Sequence, residues 1–125
     1  MSHFSIIKTQ ITDIEILAQS LNELGMEIKF NSEIRGHNGL KIQAEIVAVL
    51  PGQYDIGWSR NPDETYDLIT DLWGISKQHN QQELINSINQ RFAVNKTIKE
   101  IQKNGYKINE QSVKEDGTVT LVIAK

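Results

Sequence analysis

The side chains here that could move protons or hold a metal are few, and their spacing decides what they can do together. The imidazoles are His3, His37 and His79. None lies three or four residues from another, so no helix can present two of them to one zinc ion, and a metal site would have to be assembled from distant segments. His37 falls in the turn cluster Gly36-His37-Asn38-Gly39 and reads as a solvated side chain, whereas His3 stands at the entry to the first strand, where it could bond backbone groups. Asp63, Asp67 and Asp71 alternate with Thr65 and Ile69. A regular strand would put all three carboxylates on one face, a pattern that suits a hard cation and equally suits the wet face of a sheet. The opposite register, Tyr66, Leu68, Thr70 and Leu72, supplies the buried side of such a strand. A small metal-dependent enzyme using His3 with Asp67 or Asp71 is therefore the alternative reading. No Gly-rich phosphate loop, Gly-x-Ser-x-Gly elbow or Ser/His/Asp set in a plausible chain order accompanies it, so no catalytic residue, metal ligand or cofactor is assigned.

Tyr54, Trp58, Tyr66 and Trp73 bring half of the chain's aromatic residues into one short stretch, beside Arg60, Asn61 and Pro62. Aromatic rings stabilise paired strands, which makes packing one reading. Trp, Tyr and Arg are also the residues that most often anchor protein interfaces. On that second reading Trp58, Arg60, Tyr66 and Trp73 are the candidate binding residues, turned outward to meet a protein partner. Base stacking is disfavoured, because Asp55, Asp63, Glu64, Asp67 and Asp71 surround the cluster and the net charge of −3 gives no general attraction for phosphate backbones.

The scaffold behind these residues is bounded by composition. At 125 residues and 14.2 kDa the chain has the size of a single domain, residues 1–125. With 38% hydrophobic and 23% charged residues it can bury a core, so disorder is excluded. The longest apolar run, Ile46 to Leu50, is too short for a membrane span. Zero cysteines remove disulfide frameworks, thiolate metal sites and cysteine nucleophiles. The start, Met1 to Ser5, carries no basic region followed by an apolar stretch, and an intracellular protein is the simplest expectation.

Hydropathy periodicity supplies the elements. Thr12 and Glu15 have capping-box spacing, Ile11 and Ile16 staple spacing, and Ile14, Leu17, Ala18, Leu21 and Leu24 form one stripe, which predicts a helix over about Asp13 to Leu24 stopped by Gly25. Met26, Ile28, Phe30 and Ile34, then Leu40, Ile42, Ala44, Ile46 and Ala48, alternate with polar neighbours and predict a hairpin. Val47 and Val49 remove the polar face at one end, so that end should be covered on both sides or touch another molecule. Two further strands, Tyr54 to Trp58 and Glu64 to Leu72, flank the Asn61-Pro62-Asp63 turn. A second helix opens at Asn80 and closes at Gly105, its stripe interrupted by Asn95, and a final hairpin turns at Asp116-Gly117. Laying Gly25 on Gly105 aligns two helix-strand-strand units as a possible pseudo-repeat. The expected fold is α+β, a mostly antiparallel sheet of about five to seven strands with two helices on one face.

The opening Met1-Ser2-His3-Phe4-Ser5-Ile6-Ile7-Lys8-Thr9-Gln10-Ile11, the segment Asp55-Ile56-Gly57-Trp58, and Tyr66-Asp67-Leu68 followed by Trp73-Gly74 resemble the hypothetical chloroplast reading frame thirty-five family. The resemblance covers the whole chain, including the late Gln- and Lys-rich helix and the Asp-Gly hairpin. It implies a small protein of cyanobacterial cytoplasm or plastid stroma and brings no activity or catalytic residue with it. The functional expectation is a soluble accessory or interaction protein, leaning away from an enzyme, outside the membrane, with self-association through an exposed sheet edge or the second helix as a further possibility.

Overall fold

The computed structural model describes residues 4–36, 41–76 and 80–125, so His3, His37 and His79 lie outside the described residues, as do Asn38, Gly39 and Leu40 of the expected first hairpin. The chain runs β1 (Ser5–Lys8), α1 (Ile14–Glu23), β2 (Glu27–Arg35), β3 (Lys41–Val49), β4 (Asp55–Arg60), β5 (Tyr66–Thr70), α2 (Leu72–Ser76), α3 (Gln81–Lys103), β6 (Lys107–Val113) and β7 (Val119–Ala124).

A helix begins where a short polar side chain can accept from its first unbonded N–H groups. For α1 that residue is Asp13, whose Oδ1 accepts from Glu15 N–H at 3.0 Å and Ile16 N–H at 3.1 Å. The capping box expected at Thr12 is thus displaced by one residue, and Thr12 instead accepts from Lys96 Nζ at 2.7 Å. A carboxylate also meets the positive end of the helix dipole, which a hydroxyl does not. Partial burial works against ionisation of Asp13, but the Ile16 N–H, the Lys99 ammonium and the Glu15 N–H outweigh it and hold the carboxyl below its ordinary value of 3.8. A lowered folded-state value means stability that is present above pH 3.8 and is lost as pH falls through the lowered value. Asp13→Ala is expected to cost about 1 kcal/mol at neutral pH. Urea midpoints of wild type and variant should converge as the pH is taken below that window.

Both long helices stop the same way. Gly25 and Gly105 have φ of 80° and 86°, a region where a Cβ is penalised. Each glycine N–H and the one after it turn back onto the helix: Gly25 to Asn22 and Met26 to Leu21, Gly105 to Gln102 and Tyr106 to Ile101. This is the double bond pattern of a glycine C-cap. The helix-strand-strand echo is therefore real in local geometry, but the two hairpins part ways. The sheet order is β1-β5-β4-β3-β2, every neighbour antiparallel, while β6 and β7 form a two-stranded sheet of their own. The five to seven strands expected in one sheet resolve into five and two.

One face of the five-stranded sheet carries Ile46, Ala48, Ile56, Trp58, Tyr66 and Leu68, and it is covered by Leu17 and Leu21 of α1 and by Ile88 and Phe92 of α3. Both long helices thus lie on one side, as expected. Asn95, which breaks the stripe of α3, is buried and donates to Ser20 Oγ at 3.0 Å and Glu23 Oε1 at 2.9 Å, so it fixes α3 against α1.

The opposite face is covered by the first hairpin folding back on itself. In β3, Ile46 and Ala48 belong to the helix-side core while Ile42 and Ala44 pack with Val47, Val49, Ile34 and Ile69 on the other side. The expected alternation of Ile42 through Ala48 on a single face is corrected accordingly. Its break lies at Asn31 and Glu45, between the paired positions Phe30 with Ile46 and Ser32 with Ala44, and Asn31 has a φ of 49°. Asn tolerates this left-handed conformation better than a β-branched residue. The bend is sharp: Lys29 is level with Gly57 through Val47, yet Ile34, five residues and about 17 Å further along a straight strand, packs on Gly57 itself. A Cβ at Gly57 would drive into the Ile34 side chain and come within 2.9 Å of Ala44 Cβ. Gly57→Ala is therefore expected to lift the folded hairpin half and destabilise by about 1–3 kcal/mol, read as a lowered thermal midpoint.

Arg35 ties this arrangement down. Its backbone N–H and its Nε each donate to Asp55 at 3.0 Å, Nη2 donates to Asp55 Oδ1 at 2.8 Å, and the guanidinium also reaches the carbonyls of Leu50 and Gly52. Val47 and Val49 are consequently covered on both sides, which explains the lost polar face of that strand.

Candidate functional site

The central hairpin, expected to present an aromatic docking patch, is largely core. Trp58 is 0% exposed and Tyr66 3%. Both sit on the face beneath the helices, because β4 and β5 are interior strands whose alternate residues have no route to solvent. Their role as outward anchors is corrected to packing. Burial, together with a hydrogen bond to the Glu45 carboxylate, pushes the Tyr66 phenol up to about 12. Glu45 Oε2 and Trp58 Nε1 are buried on the same side and find no hydrogen-bond partner among the described residues. Arg60 and Trp73 do keep exposed surface, Trp73 at 48%. Arg60, however, closes β4 and is salt-bridged to Glu64 at 3.1 Å, whereas Trp73 follows the far end of β5 in α2. The four residues do not make one surface.

The alternating carboxylates separate as well. Asp63 lies in the turn before β5, where the Thr65 hydroxyl and N–H and the Lys8 ammonium lower its carboxyl to about 2. Asp67 accepts from Asn61 Nδ2 at 2.8 Å. Asp71 lies past the end of β5 and accepts from Gly74 N–H at 3.0 Å, capping α2 where the sequence pattern had continued the strand. Among the described residues no group of three or more His, Asp or Glu side chains could hold a metal ion, and His3 lies outside them. The metal-enzyme alternative has no support from this placement.

A different surface combines the features of a docking site. β1 ends the sheet on one side, so its outer edge is unpaired among the described residues. Thr9 N–H donates to Tyr66 O at 3.2 Å, and the antiparallel alternation therefore turns the backbone groups of Ile7 inward and those of Ile6 and Lys8 outward. Along this edge runs a groove of about 580 Å³ between residues 7–11 and one flank of α3. Ile7, Leu68, Ile85, Phe92 and Ala93 form its apolar floor and wall, and Asn89, Lys96 and Thr97 its polar rim. Ile7 enters the groove because it pairs with Leu68 on the helix side, while Ile6 pairs with Ile69 on the other face and is 65% exposed. The groove exists because α3 covers the β5 end of the sheet without reaching over β1. None of its residues stood out by type. The one local signal is Ile6 beside Ile7, two adjacent β-branched residues that give a four-residue edge strand an apolar side chain on each face.

Comparison with known proteins agrees with a family that has no assigned chemistry. An uncharacterized protein ycf35 of Guillardia theta is 34% identical over 127 residues, covering 100% of this chain and 98% of that protein. Proteins of the same description from Pyropia yezoensis and Cyanophora paradoxa are 27% and 25% identical, again over 100% of the chain. The resemblance to the hypothetical chloroplast reading frame thirty-five family is thereby borne out. No solved structure matches. The family described as protein of unknown function, DUF1257, matches residues 20–122, and the chain belongs to that family.

Proposed function

We propose that the protein is a non-catalytic docking module that takes up an extended segment of a partner protein beside β1. The observation that carries this reading is the coincidence, among the described residues, of an unpaired strand edge with a groove lined by apolar side chains. An added strand would bond the outward groups of Ile6 and Lys8 and drop alternate side chains onto Ile7, Ile85 and Phe92, the mode in which main-chain bonds give affinity and pockets give specificity. Lys96 on the rim makes acidic residues the fitting flanks of that segment. On this reading residues 1–125 work as one domain. The resemblance to chloroplast reading frames supports a plastid stroma or cyanobacterial cytoplasm as its place of work, and no helix among the described residues is long and apolar enough to cross a membrane.

Selection from a random library of short peptides tests the proposal. The expected binders alternate apolar residues and end in Asp or Glu, and both Ile7→Lys and Ala93→Glu weaken them at least about tenfold, or about 1.4 kcal/mol. Binders indifferent to both substitutions would refute the groove.

A further inference from the structure

Among the described residues four strand edges are unpaired: the β1 edge is the one proposed above to take up a partner segment, and of the other three, β2 and β6 carry the charges that ordinarily keep edges from pairing. β2 has Glu27, Lys29, Glu33 and Arg35 along with the bend at Asn31, and β6 has Lys107 and Glu110. β7 has none: Val119-Thr120-Leu121-Val122-Ile123-Ala124 is uncharged throughout, and Val122 and Ile123 are 44% and 41% exposed. Its only strand neighbour among the described residues is β6, and a two-stranded sheet is marginal by itself. The first helix-hairpin unit finds β4 as the next strand for its hairpin, whereas the second finds none among the described residues.

We infer that β7 pairs antiparallel with β7 of a second copy of this chain, making a four-stranded sheet across a two-fold axis. The backbone chooses the register. Lys114 N–H donates to Thr118 O at 2.8 Å, so alternation turns the backbone groups of Thr118, Thr120 and Val122 toward β6 and those of Val119 and Leu121 outward. An axis through Leu121 then joins outward group to outward group. In that register Thr120 of each copy lies opposite Val122 of the other, and Val119 opposite Ile123. Lys125 arrives opposite Gly117, beside Asp116, so side-chain charges of opposite sign come near each other at the ends of the paired strands. Val119 and Leu121 face α3 across a shared pocket and are half-buried, leaving the side chains of Thr120 and Val122 on the open face, where they can be changed without disturbing the hairpin.

Sedimentation equilibrium of the full chain, in a concentration series reaching about 100 µM, tests this, since an interface of this small size is expected to dissociate in the micromolar range. Wild type should move toward twice the one-chain mass of 14.2 kDa. Thr120→Glu with Val122→Glu, which sets four carboxylates across the axis, should stay at the one-chain mass, and so should Thr120→Lys with Val122→Lys, each with an unchanged circular dichroism spectrum. Mixing the two charged variants should restore the dimer, which an unfolded variant could not do. Ile7→Lys should leave the dimer intact, which separates this surface from the β1 groove. A wild type that keeps the one-chain mass throughout, or a dimer unmoved by both charged pairs, would overturn the inference.

Discussion

Trp58→Ala is expected to destabilise the protein by about 3–5 kcal/mol, the cost of emptying a large, fully buried aromatic site. That is a large share of the roughly 5–15 kcal/mol that holds a typical domain together, so the urea transition should shift far toward zero denaturant. Trp58 pairs with Ile46 and Leu68 across neighbouring strands and lies in the same core as Leu17 and Phe92. The void would therefore open between sheet and helices, where neither side can collapse freely. The two indoles give an independent check. Acrylamide should quench Trp73 in the native protein and reach Trp58 only on unfolding. Native quenching of both would place Trp58 at the surface and contradict the core described above.

Asp55→Ala is expected to cost about 2–4 kcal/mol. Asp55 is 2% exposed and accepts from the Arg35 backbone, two guanidinium nitrogens and, at 3.4 Å, the N–H of Leu50. Truncation strands the two backbone donors and releases the clamp on the folded hairpin. The guanidinium itself is nearly half exposed and can be rehydrated, which keeps the cost below that of a fully buried ion pair. Amide exchange should accordingly rise first at residues 32–35 and 41–44, the described parts of the hairpin on the side of Gly57, before the helix-side core opens. Uniform acceleration over all strands would instead mean that Arg35 and Asp55 support the whole fold and not the bend.

What could be read from the amino-acid order follows from the range of the interactions involved. Asn80, Gly25 and Gly105 mark helix ends because capping is settled within four or five residues, and each does what its type predicts. The Asp116-Gly117 turn is equally local, and it joins β6 to β7 as expected. The bend at Asn31 is not local. Nothing in the alternation of β3 reveals that Ala44 and Ile46 face opposite ways, because the cause is the packing of Ile34 on a glycine two strands away. Trp58 and Tyr66 misled for a related reason: aromatic residues in strands have the same composition whether they fill a core or a partner's pocket, and the strand order that buries them is a property of the assembled sheet. The groove lay out of reach because Ile7 and Phe92 meet only after α3 has docked, with most of the chain between them. Asp71 shows the limit at short range, since a carboxylate in strand register is also a helix cap, and Gly74 decides between the two.

The proposed addition of a partner strand at the β1 edge is tested most directly by hydrogen exchange on individual amides. With a bound peptide of alternating apolar residues and acidic ends, the amides of Ile6 and Lys8 should slow by at least about tenfold, while Ile7, already turned toward β5, should change little. Equal protection at all three positions, or none at Ile6 and Lys8 when the peptide is bound, would contradict strand addition at this edge.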